Sequence, residues 1–157
     1  MEIQIKNHQK IIKLNLKRMK EILKKILKIL GIDKKNEISF LFTDDAGIKE
    51  LNSKYRGINK ATDVLSFAFE EDDCDMFPVL GDVKILGDII ISTETARRQA
   101  KEANHDIERE IAILMVHGIL HLLGYDHIKD EEYGLMHEKE LEIIEKLDNN
   151  IQETGTD

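Results

Sequence analysis

The chain has one cysteine, Cys74, and one proline, Pro78, among its 157 residues. A lone thiol excludes an internal disulfide and predicts a reducing, cytoplasmic setting. No apolar run approaches the roughly 20 residues that a membrane-crossing helix needs. The longest apolar-looking segment, KIIKLNLKRMKEILKKILKIL, is broken by lysine every few residues. The opening MEIQIKNHQK lacks the apolar core and small-residue cleavage site of a secretory signal. These absences predict a soluble protein with no membrane partner. The length suits one domain with its own hydrophobic core.

A general excess of positive charge is also missing, since the formal net charge is −8. Its distribution is uneven. Residues 1–35 hold eleven Lys or Arg against three acids, and the remainder holds twelve against twenty-eight. A broad basic coat for nucleic acid is therefore excluded, while a local basic face is not. Lys10, Lys13, Lys17, Lys20, Lys24 and Lys28 step along one stripe. A solvated helix face is the default for such a stripe, and a surface for RNA or acidic partners is the alternative.

The periodicities predict an α+β fold: a small mixed sheet of about four strands packed with about five helices. EIQIKN alternates as a strand. From about Lys10 to Leu30, Leu16, Met19, Leu23, Ile26 and Leu30 mark one helix face, which Gly31 ends. EISFLFT, TDVLSFAFE and LGDIIIST read as strands, and Asp44 caps a short helix reaching about Tyr55. The acidic EEDDCDMFPVLGDVK reads as a long exposed connection without the spacing of a calcium loop. Ser92 and Asp106 are caps for two further helices, the second having Ile111, Leu114, Met115, Ile119 and Leu122 on its buried face and ending at Gly124. A last helix, about Asp130 to Leu147, is expected to turn Leu135, Leu141, Ile144 and Leu147 inward.

The chemistry concentrates in HGILHLLGYDH, His117 to His127, which has three of the chain's six histidines. His117 and His121 are four apart, so on a helix both imidazoles lie on one face, a turn apart. Gly124 lets the chain leave the helix with positive φ, and the following turn can bring His127 to the same ion. Three nitrogen ligands and an open fourth position are the arrangement of a catalytic zinc. Imidazole also suits nickel and copper. The spacing matches that of zinc peptidases, but Gly118 stands where their glutamate base would be. Zinc itself lowers the pKa of water toward about 7. A peptide still needs a proton delivered to its amine, whereas a phosphodiester chiefly needs charge on its non-bridging oxygens. Hydrolysis of phosphodiesters is thus favoured over that of peptides. Asp126 either orients an imidazole or caps the turn. His8, His105 and His137 read as surface histidines, with His137 able to join the site if the last helix folds back over it.

HGILHLLGYDH resembles the signature of the YbeY family, the bacterial endoribonucleases of ribosomal RNA maturation. LNSKYRGINKATDVLSF (Leu51–Phe67) and LGDIIIS (Leu86–Ser92) resemble two further blocks of that family, in the same order. The resemblance runs from about Phe40 to Leu147. It implies zinc on His117, His121 and His127, with Arg56 beside the metal cleft and acting on substrate. It further implies a single-strand-specific endoribonuclease working on the 3' end of small-subunit ribosomal RNA and in ribosome quality control, with RNA and the ribosome or its small subunit as partners. Taken alone, Arg56 is one arginine in a polar turn, and Asp63, Ser66 and Asp88 are equally well explained by capping or strand-end roles. Two other functions fit the histidines: a zinc peptidase, and a non-catalytic ribosome-associated factor with a structural metal.

Overall fold

A computed structural model describes residues 2–32, 36–68, 84–124 and 130–155. The strands are β1 (Glu2–Asn7), β2 (Asn36–Thr43), β3 (Val64–Ala68) and β4 (Lys84–Ser92). The helices are α1 (Leu16–Ile29), α2 (Asp45–Arg56), α3 (Thr93–Glu102), α4 (Ile107–Leu122) and α5 (Asp130–Gly155). The sheet runs β1-β2-β4-β3, with β3 antiparallel to β4 and the other pairs parallel. The predicted α+β class with a mixed four-stranded sheet is therefore the observed one. Among the described residues no helix is long and apolar enough to cross a membrane.

Alternation along the strands gives the sheet two unlike faces. Ile38, Phe40 and Phe42 of β2 join Ile89 and Ile91 of β4 in the main core, under α1, α3, α4 and α5. The intervening residues Leu41, Leu65, Phe67 and Ile90 face the other way and pack with Ile48 and Leu51 of α2. β4 takes one extra residue, Leu86, where the register shifts between Glu37 and Ile38.

Local capping holds where the sequence predicts it. Asp44, Ser92 and Asp106 each accept a hydrogen bond from the backbone N–H three residues on. Other expectations change. α1 begins at Leu16 rather than near Lys10 because the preceding segment is organised differently. The side chain of buried Gln9 donates to Asn7 Oδ1 (3.0 Å) and to the Ile12 carbonyl (2.7 Å), and accepts from Ile12 N–H (2.8 Å). Asn15 then caps the helix. Leu16, in the first turn, is partly exposed, and Ile22 and Leu27 are buried on the face assigned to this helix.

α5 also differs. Leu135 and Leu141 are 61% and 57% exposed, while Met136, Ile143 and Leu147 are buried. The inward stripe of α5 is therefore 136–140–143–147, with Glu140 among its apolar members. His105 is a correction too. Its Nε2 lies 2.6 Å from Oε2 of the buried Glu110, so it clasps the start of α4 rather than standing on the surface. The acidic connection with Cys74, Pro78 and Asp72, Asp73 and Asp75 lies outside the described residues.

Candidate functional site

Helix α4 starts under Asp106, with Glu108 and Glu110 in its first turn, where carboxylates suit the helix dipole. Its apolar residues bury it against the sheet, so the four-residue spacing puts His117 and His121 together on a half-exposed side. Their Nε2 atoms are 3.1 Å apart, and the ring planes meet at 69°. Gly124 follows with φ 98°, a conformation that a Cβ disfavours. The chain thus leaves α4 as the sequence predicts. Asp126 and His127 lie outside the described residues, so among those described two of the three predicted ligands stand together.

The last helix does fold back on α4, and Glu140 is a residue of it that touches the histidine pair. Glu140, on the inward stripe of α5, has Oε1 2.5 Å from Nδ1 of His117. His137 is on the exposed part of the same helix. Sequence reasoning missed Glu140, and a signal was available: one carboxylate at position 140 interrupts the spacing of Met136, Ile143 and Leu147.

Gly118 faces the sheet. A Cβ there would come within 2.9 Å of Ile89 Cγ2, 3.1 Å of Ile89 Cδ1 and 3.2 Å of Ser66 Oγ. At the position where a zinc peptidase carries its glutamate, a side chain would thus be accommodated only if Ile89 shifted. Ser66 ties this turn to Arg56. Its hydroxyl donates to the Gly118 carbonyl at 3.1 Å, and its own carbonyl accepts from Arg56 Nη2 at 2.7 Å. Arg56 ends α2 and lies over the Phe67 ring, 5.1 Å from its centroid. Asp63 takes the local role its position suggests, accepting from Val64 N–H (2.7 Å) and from Gln99 (3.2 Å). Asp88 accepts from the Ser39 hydroxyl across the neighbouring strand.

The donor set fits a transition metal. Two nitrogens on a tetrahedral zinc at ordinary bond lengths are about 3.3 Å apart, close to the 3.1 Å found between the two Nε2 atoms. Half-exposed imidazoles beside a carboxylate can hold a cation, and Arg56 reaches the α4 turn that carries them only through the backbone and hydroxyl of Ser66.

A family model described as "Endoribonuclease YbeY" matches residues 4–148. The chain belongs to the YbeY family. It is 48% identical over 124 residues to the Endoribonuclease YbeY of Pelotomaculum thermopropionicum, covering 78% of this chain and 79% of that protein. To that of Desulforamulus reducens it is 46% identical, covering 86% and 88% of the two chains. With that of Caldicellulosiruptor bescii it shares 42% identity over 94% of this chain and 98% of the other. A Thermotoga maritima protein solved in solution has the same fold, with a TM-score of 0.64 and 31% identity over 97% of this chain and 93% of that one. The YbeY match includes all three blocks that carry the sequence resemblance, and it extends over α1 and most of β1 as well.

Proposed function

We propose that the protein is a zinc-dependent endoribonuclease that hydrolyses phosphodiester bonds of single-stranded RNA. His117, His121 and His127 are its metal ligands, and Arg56 acts on the phosphate. That the chain is an endoribonuclease with an RNA substrate follows from its family. The metal and its ligands, the strand preference and the setting belong to the proposal. That setting is the cytoplasm, beside the ribosome or its small subunit, in maturation of the 3' end of small-subunit ribosomal RNA and in ribosome quality control.

The convergence of the His117 and His121 Nε2 atoms carries this reading. When bound there, zinc supplies a Lewis acid for a phosphoryl oxygen and water of lowered pKa. Arg56 contributes a planar cation suited to paired phosphate oxygens. Its bond to the Ser66 carbonyl uses one of five N–H donors and fixes the guanidinium over Phe67. Glycine at 118 speaks against peptide hydrolysis, because that position offers no carboxylate to move a proton to an amine, and a side chain there would press on Ile89.

The test is a cleavage assay with one labelled RNA, presented single-stranded and as a duplex, and with casein as control. Zinc-loaded parent protein is expected to cut the single strand, to spare the duplex and casein, and to lose its activity in His121→Ala. Parental cleavage by His121→Ala, or digestion of casein, would overturn the reading.

A further inference from the structure

The geometry points to Glu140 as the residue that prepares His117 to bind metal: its carboxylate holds the proton of His117 on Nδ1, so that Nε2 presents a lone pair. This rests on the metal reading above and adds to it a positioning residue from another helix. A neutral imidazole has one N–H and one bare nitrogen, and in water the two tautomers exchange freely. A carboxylate only accepts, so the nitrogen facing it must donate. Nδ1 of His117 lies 2.5 Å from Glu140 Oε1, and its Nε2 faces His121. The proton is therefore held on the side away from the second imidazole.

The placement of Glu140 supports the same role. It occupies one position of a stripe whose other members, Met136, Ile143 and Leu147, are buried in the core. Its side chain is 19% exposed and that of His117 31%. Putting a carboxylate in such a stripe costs stability unless it is hydrogen-bonded, and among the described residues His117 is a partner for it. A carboxylate behind a ligating imidazole also raises the basicity of the ligating nitrogen. α5 thus does more than cover α4.

The experiment measures metal affinity and imidazole tautomer in the full chain. Zinc dissociation constants come from competition with a chelator. The tautomer comes from the 15N shifts of His117 in metal-free protein at about pH 8, where an ordinary imidazole is neutral. Glu140→Ala is expected to weaken zinc about 10- to 100-fold and to shift His117 away from the Nδ1–H form. Glu140→Gln keeps an acceptor oxygen without charge, so it should retain most of the tautomer and lose only part of the affinity. Met136→Ala loosens the same stripe without touching the carboxylate and should leave both readings near the parent. An unchanged tautomer and affinity in Glu140→Ala would overturn the inference, and so would an equal zinc loss in Met136→Ala. If the parent binds no zinc, the metal reading fails separately, and the tautomer still decides the role of Glu140. Should Glu140→Ala fail to fold, Glu140→Gln decides: a His117 that keeps its Nδ1 proton with weakened zinc supports the inference, and parental zinc affinity overturns it.

Discussion

The hydroxyl of Ser66 donates to the carbonyl of Gly118 across 3.1 Å, and this bond joins α4 to β3. Ile89, fully buried beneath the same turn, completes the contact. Glycine at 118 is therefore a packing requirement. A methyl added there meets Ile89 first. Overpacking a tight core typically costs about 1–3 kcal/mol, and the helix preference of alanine over glycine offsets about 1 kcal/mol of it. Gly118→Ala should lose roughly 1 kcal/mol, a fall of about 2–4 °C in melting temperature for a chain of this size. Gly118→Glu, which completes the peptidase pattern in sequence, should melt lower still and leave casein intact. A melting temperature at or above the parent's in Gly118→Ala would show that Ile89 turns aside freely.

Asp45 and Glu94 hold the starts of α2 and α3 together in a reciprocal way. The Asp45 carboxylate accepts from Ser92 Oγ (2.7 Å), Thr95 Oγ1 (2.6 Å) and Arg98 Nη1 (2.8 Å), while the Asp45 N–H donates to Glu94 Oε1 (3.0 Å). Burial pushes the Asp45 carboxyl up, but these hydrogen bonds and the Arg98 charge outweigh it, and the net pKa lies below the ordinary value. A carboxyl with a lowered pKa in the folded state stabilises above its unfolded value of about 3.9. That contribution is lost as pH falls through the folded value. Asp45→Asn should therefore cost roughly 1–3 kcal/mol at pH 7. The gap to the parent should narrow below about pH 4. Urea denaturation of both proteins at neutral and acidic pH measures it, and a gap that stays constant would refute the ionic origin.

What the sequence made legible depended on how far away each partner lies. Asp44, Ser92 and Asp106 were readable as caps because each bonds a backbone N–H three residues on. His117 and His121 were readable as a pair because a helix fixes their relation. Gln9, His105 and Glu140 were not, since each role depends on a contact that periodicity does not encode. Leu135 and Leu141 show the same limit in reverse. Counting leucines placed them inside α5, but the helix turned by the spacing of Met136, Ile143 and Leu147 and by the partner of Glu140.

The exposed lysines allow a test on binding alone. Lys13, Lys17, Lys20 and Lys24 are all on the surface, away from Met19, Leu23 and Ile26 in the core. If they touch RNA phosphates, replacing all four by glutamine should flatten the salt dependence of RNA binding by up to about 0.7 per lost contact. The fold should survive, as circular dichroism would show. An unchanged slope would leave Lys17, Lys20 and Lys24 a solvated face of α1 and Lys13 an exposed lysine of the segment before it.

The proposed metal ligands make a separate prediction. Parent protein loaded with zinc and desalted should hold about one equivalent, as a single mononuclear site does. His117→Ala, His121→Ala and His127→Ala should each lose most of it. Elemental analysis decides, and a His127→Ala protein as rich in zinc as the parent would remove that residue from the ligand set.

Arg56 tests the chemistry most directly. Its side chain is exposed and held by the Ser66 carbonyl and the Phe67 ring, so its removal should leave the core and the imidazoles in place. If the guanidinium stabilises phosphate charge chiefly in the transition state, Arg56→Ala should cut RNA about 100-fold more slowly. RNA affinity should change less than turnover, because ground-state binding draws on several phosphate contacts. Arg56→Lys should recover only part of the rate, since an ammonium keeps the charge but not the paired donors. Single-turnover cleavage of a short labelled RNA separates these effects, with zinc content and melting temperature measured on each variant. Parental cleavage by a zinc-loaded Arg56→Ala protein would show that Arg56 serves only to tie α2 to β3. Phosphate charge would then have to be met by the metal or by a lysine such as Lys60, whose carbonyl is tethered to Asn52 in the loop that follows α2.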